Sequence, residues 1–131
     1  MHFEAVNENL FAEFPALLPA LDEMESGELD DEDLENQYYI AGRFVDFLRI
    51  AYENGDWGTY EKGLLFIEKL HLSDCHETGE LATVGYLESF LDWDKNDVLM
   101  EDLGEESKKW WLELNRFWSG KVKYIGQSFE S

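Results

Sequence analysis

The run Leu34-Glu35-Asn36-Gln37-Tyr38-Tyr39-Ile40-Ala41-Gly42-Arg43-Phe44-Val45-Asp46-Phe47-Leu48-Arg49-Ile50-Ala51-Tyr52 decides the fold. Leu34, Tyr38, Ala41, Val45, Leu48 and Tyr52 fall on one helical stripe, and Ile40, Phe44, Phe47 and Ala51 on a second beside it. Apolar residues at three- and four-residue spacing mark a helix, and two adjoining stripes mark one buried over more than half its girth. The pattern predicts a central helix near 31–53. Asp30 or Asp31 supplies its N-cap, and acids in the first turn suit the positive end of the helix dipole.

Towards the C-terminus, Asn54-Gly55-Asp56 reads as a helix stop and a new cap, and Trp57, Tyr60, Leu64, Ile67 and Leu70 mark the next helix. A joint this short folds the two helices into an antiparallel hairpin. A helix over 76–92 is expected to turn Leu81, Val84, Leu87, Phe90 and Leu91 inward. A short helix carries Val98, Leu99 and Leu103, and a last one over 105–118 carries Trp110, Trp111, Leu114, Phe117 and Trp118, closed by Gly120. Towards the N-terminus, Phe3, Val6, Leu10 and Phe14 define a helix that Pro15 ends. Pro15 to Pro19 makes a bend, with a short helical turn to about Met24. The fold expected is all-α: a compact single-domain bundle of antiparallel helical hairpins with about six helices. Residues 1–120 form the domain, and 121–131 form a C-terminal tail, either a loose strand or without fixed order.

Charge is the next strongest signal. The 131 residues carry 30 Asp and Glu against 10 Lys and Arg, a net of -20. Asp22, Glu23, Glu25, Glu28, Asp30, Asp31, Glu32, Asp33 and Glu35 put nine carboxylates into fourteen residues, and no Lys or Arg precedes Arg43. Such a chain repels nucleic acid and anionic membranes and attracts cationic partners from a distance. An apolar fraction of 44%, with 9 Phe, 6 Tyr and 5 Trp, argues for a folded core despite the self-repulsion. The single Cys75 leaves no internal disulfide and fits a reducing cytosol. The first residues lack the basic and apolar regions of a signal peptide, and no apolar run is long enough for a membrane span. The expected location is cytoplasmic.

The constellations that carry chemistry elsewhere are incomplete here. Asp92, Asp94, Asn96 and Leu99 match a calcium loop, but Asp97 takes the glycine position and Leu103 the place of the bidentate Glu. His71, Cys75 and His76 lie close in sequence, yet zinc needs four ligands and His2 is the one further His. Glu68 and His71 form one Glu-x-x-His unit where a di-iron bundle uses two. Cys75 beside His76 is adjacency without a positioned nucleophile and base, and neither a Gly-x-Ser-x-Gly elbow nor a phosphate loop is present. Carboxylate pairs abound but single none out. No enzyme, metal or cofactor is expected.

Binding remains. An acidic surface steers a basic protein into contact, and enzymes that cut nucleic acids present cationic clefts. Affinity rests on a few desolvated anchors, for which Tyr39 and Trp111 are the candidates. Lys108, Lys109, Arg116, Lys121 and Lys123 make the C-terminal end the locally basic region.

Three stretches carry a resemblance: Glu13-Phe14-Pro15-Ala16-Leu17, Leu81-Ala82-Thr83-Val84-Gly85-Tyr86-Leu87-Glu88, and Leu103-Gly104 with Lys109-Trp110-Trp111. In this order they are similar to a helical family associated with the immunity proteins of bacterial polymorphic-toxin and contact-dependent growth inhibition systems. The resemblance implies a protein that binds and neutralises a cognate toxin. That toxin would have a basic active-site cleft, a nuclease being one such enzyme. The acidic run from Asp22 to Glu35, with Tyr39 and Trp111, would form the partner-binding surface. The alternatives are an acidic mimic of nucleic acid and a general protein-interaction adaptor.

Overall fold

The computed structural model describes residues 1–25 and 30–128, with side chains through Phe117. It is all-helical, and no strand occurs among the described residues. Among the described residues eight α-helices follow in order: α1 (Val6–Glu13), α2 (Leu17–Met24), α3 (Asp31–Glu35), α4 (Gln37–Glu53), α5 (Trp57–His71), α6 (His76–Glu80), α7 (Asn96–Asp102) and α8 (Glu105–Ser128). A 3-10 turn, Phe3–Ala5, leads into α1. A π-helical segment, Leu81–Leu87, and a 3-10 turn, Glu88–Phe90, continue α6.

The two helices beyond the six expected arise at identifiable residues. Pro19 lies inside α2 instead of ending a bend, because in the first turn its missing N–H has no intrahelical acceptor to lose. The central helix expected near 31–53 is broken at Asn36, whose backbone is extended. Asp30 caps α3 by accepting from Asp33 N at 2.9 Å, and Asp30 N donates to the Asp33 carboxylate. Asn36 then accepts from Tyr39 N at 3.0 Å and starts α4. The break changes the helical phase. Leu34 and Tyr38 no longer share a stripe, and Tyr38 is 42% exposed.

Past the break, the sequence pattern holds. Ile40, Ala41, Phe44, Val45 and Leu48 are fully buried. Phe44 is the aromatic hub, with Phe14 at 4.9 Å, Tyr86 at 5.9 Å, Phe47 at 6.0 Å and Phe66 at 6.2 Å between ring centroids. Most of these pairs meet edge to face, which suits the ring quadrupoles. The joint from α4 to α5 passes through Gly55 at φ 78°, where L side chains are strained. Asp56 caps α5 by accepting from the Thr59 hydroxyl at 2.7 Å and from Thr59 N.

The π segment packs against α4, α5 and α8. Its wider winding buries Leu81, Ala82, Gly85, Tyr86 and Leu87 and leaves Val84, expected inside, 44% exposed. Gly85 permits the approach to α4. A Cβ there would lie 3.2 Å from Ala41 Cβ and 3.3 Å from the Tyr38 ring. The last helix runs on through Gly120 to Ser128, over residues read from sequence as a tail. No helix among the described residues is long and apolar enough to cross a membrane.

Candidate functional site

The acidic run occupies the end of α2 and the whole of α3. Asp22 and Glu23 are exposed on the last turn of α2, and Asp30, Asp31, Glu32 and Glu35 are exposed in and around α3. Asp33 is partly buried and tied into the cap with Asp30. Glu28 lies outside the described residues. Of these acids Glu25 alone has a cation among the described residues, Arg43 at 3.5 Å. Arg43 also holds Asp46 at 2.8 Å. Other bases are engaged elsewhere: Arg49 with Asp92, Lys69 with Glu13, Lys109 with Glu106 and Arg116 with Glu113. Asp22, Glu23, Asp31, Glu32 and Glu35 therefore stand exposed without a paired cation among the described residues.

The aromatic anchors are displaced by one residue from the sequence expectation. Trp111 is 3% exposed and belongs to the core, so it presents no face to a partner. Trp110 beside it is 39% exposed. Its Nε1 donates to Glu106, and Lys109 Nζ lies 5.5 Å from its ring centroid. Tyr39 is partly buried, and its hydroxyl donates to the Glu25 carboxylate. That bond, with lesser help from burial, pushes the Tyr39 phenol up to about 12. The exposed neighbour is again the other residue, Tyr38.

A second cluster joins α5, the π segment and the start of α8. His71 is 8% exposed; its Nδ1 bonds Ser107 Oγ at 2.8 Å and its Nε2 bonds Thr83 Oγ1 at 3.0 Å. Burial lowers the imidazole to about 4, against the opposing pull of Glu68 and Glu106. Neutral imidazole offers one donor and one acceptor, which two hydroxyls can satisfy. Ser107 is fully buried, so the pair links helices and offers solvent no nucleophile.

Glu68 completes this junction. The residue before α8 is Gly104, which has no side chain to cap the helix. Glu68 caps it from α5 instead, accepting from Ser107 N at 2.8 Å and Glu106 N at 3.1 Å. Burial raises its carboxyl, but the hydrogen bonds from Ser107 and Glu106 outweigh that and hold it below its ordinary value. The missing side chain makes room, for a Cβ on Gly104 would fall 2.5 Å from Glu68 Cδ.

A family model covers residues 7–119, from α1 into α8. The chain belongs to the family described as a domain of unknown function, DUF7674. No curated protein and no solved structure matches it. This DUF7674 span contains the acidic surface, the His71 junction and the three stretches Glu13–Leu17, Leu81–Glu88 and Leu103–Trp111. Two of those stretches now have physical roles: the π segment with its tight Gly85 contact, and the Gly104 gap that Glu68 fills.

The metal readings gain no geometry in the DUF7674 fold. Among the described residues no three His, Cys, Asp or Glu side chains gather to hold an ion. In the calcium-like loop Asp92 pairs with Arg49, and α7 starts at Asn96, the fifth would-be loop position. Cys75 is the N-cap residue of α6, and hydrogen bonding to Thr78 lowers its thiol. The exposed carboxylates of α2 and α3 were legible in the sequence as charge. The exposed pair Tyr38 and Trp110 was not, because a helix face is set by what packs on it.

Proposed function

We infer that this protein is an immunity protein of the bacterial cytoplasm, which binds a cognate toxin domain and covers its basic active-site cleft without chemistry of its own. The observation that carries the reading is the unneutralised acidic surface of α2 and α3. Asp22, Glu23, Asp31, Glu32 and Glu35 are exposed, and no Lys or Arg pairs with them among the described residues. A structural role would favour compensating bases, since unpaired like charge opposes compaction. A surface left that way suits a cationic partner, which it draws in and matches in charge.

The scaffold inferred is a set of antiparallel helical hairpins with α4 and α5 at its centre. Tyr38 and Trp110, exposed beside Tyr39 and Trp111, are the aromatic candidates for desolvated contact. The acids supply the rate of encounter, and the aromatics and clefts supply the residence time.

Co-expression with the toxin domain encoded by the adjacent gene tests this reading. Survival of the host and a complex that co-purifies are the expected results. Charge reversal at Glu23, Asp31, Glu32 and Glu35 together should slow association at least tenfold at low salt and less at high salt. Toxicity without rescue would overturn the immunity reading, and an association rate untouched by the reversal would remove the role of this surface. A protein that instead captures a DNA-binding enzyme with no toxic neighbour would be the acidic mimic.

A further inference from the structure

A cleft of about 640 Å3 opens between α1, α2 and α3. Phe3, Phe11, Leu18 and Leu34 give it an apolar lining, and Glu4, Glu8 and Glu35 stand on its rim. All three rim acids are exposed, and no cation pairs with any of them among the described residues. Leu18 is 40% exposed, an apolar side chain on the surface of a helix that already buries Leu17 and Leu21.

The base of the cleft is fixed by a pair of amides. Asn7 Nδ2 donates to Leu34 O at 2.9 Å, and Asn7 N donates to Gln37 Oε1 at 3.2 Å. Gln37 Nε2 in turn donates to Phe3 O. These bonds tie α1 to the junction of α3 and α4, so the cleft is preformed. They also leave one group over: Asn7 is 8% exposed, lines the cleft, and its Oδ1 has no donor. A buried acceptor without a donor is costly.

We propose that this cleft docks a basic amphipathic segment of the protein partner, with an apolar side chain between Phe11 and Leu18 and flanking Lys or Arg on Glu4, Glu8 and Glu35. The proposal rests on the binding role inferred above and names the chemistry of the contact. Charge selects the occupant, since the first 42 residues hold twelve acids and no Lys or Arg. A second copy of this chain, at a net of -20, is repelled from such a surface.

The probe is an 18-residue helical peptide with Leu at positions spaced three and four apart and Lys on its other faces. It is titrated into isotope-labelled full-length protein at physiological salt. The expected result is a set of shifts confined to Phe3, the Asn7 side-chain amide, Phe11, Leu18 and Leu34. Leu18→Asp and, separately, Glu8→Lys should each weaken binding at least tenfold. Both residues are exposed, and retained helicity by circular dichroism establishes that the variants fold. Equal binding by a control peptide with Ser in place of Leu would overturn the proposal, since charge alone would then explain the contact. Shifts confined to α6 and Trp110, or self-association that Leu18→Asp abolishes, would also overturn it. Full toxin rescue by Leu18→Asp would overturn the cleft and leave the immunity reading standing. Peptide binding at the cleft without toxin rescue would do the reverse.

Discussion

Successive residues on a helix point about 100° apart, so Trp110 and Trp111 cannot share an environment unless both face a wide surface. Trp111 lies in the core and Trp110 on the rim of a cleft with Glu80 and Val84. Trp111→Ala should therefore destabilise the fold by roughly 3–5 kcal/mol, as large-to-small changes in a core do, and Trp110→Ala by no more than about 1 kcal/mol. Urea denaturation of the two variants checks this; equal losses would mean that Trp110 is also structural. His71 makes a second prediction at this scale. Its imidazole sits near 4 when folded and near 6.5 when unfolded, so the native state binds fewer protons between those values. Its contribution is complete above pH 6.5 and is lost as pH falls towards 4, by an amount on the order of 3 kcal/mol. The stability of His71→Gln should lose less across that window than the parent protein, as read from denaturation midpoints at several pH values. An unchanged slope would show that His71 already titrates freely in the fold.

At the scale of an element, α8 depends on a cap it does not own. Capping from within is the usual arrangement, and replacing a capping side chain costs about 1 kcal/mol. Glu68 serves two N–H groups with a full charge beside the positive end of the helix dipole. Glu68→Gln should cost roughly 1–2 kcal/mol, and Gly104→Ala a comparable amount by pushing that carboxylate aside. If the two act through one contact, the double variant loses less than the sum of the single ones. Strict additivity would separate the Gly104 gap from the Glu68 cap. The same scale explains the break before α4. Asn36 satisfies Tyr39 N with its side chain, an alternative to continuing the helix that Asn offers readily.

For the whole molecule, the balance lies between an aromatic core and its own charge. Phe14, Phe44, Phe66 and Tyr86 form a connected cluster at the centre, while Asp22, Glu23, Asp31, Glu32 and Glu35 hold exposed carboxylates on α2 and α3. Screening reaches about 10 Å at 0.1 M salt, so self-repulsion between exposed carboxylates should fade as salt is added. The melting temperature should rise by several degrees between low and moderate sodium chloride, and less in the variant with Glu23, Asp31, Glu32 and Glu35 reversed to Lys. A flat salt response in the parent would show that the acidic surface imposes no strain on the fold.

The sequence by itself determined the helical class, the burial of α4 from Ile40 onward, the stop and cap at Asn54 to Asp56, and the concentration of charge. Each of these is local: a periodicity, a cap or a count of acids can be read without knowing any neighbour. Tertiary structure alone decided which member of each aromatic pair faces solvent, where Glu68 finds its partners and how α1 meets α3 to form a cleft. Those depend on contacts between residues distant in sequence, such as Asn7 with Gln37 and His71 with Ser107. The π winding at Leu81–Leu87 belongs to the same class, because one residue of phase moves Val84 from the expected interior to the surface.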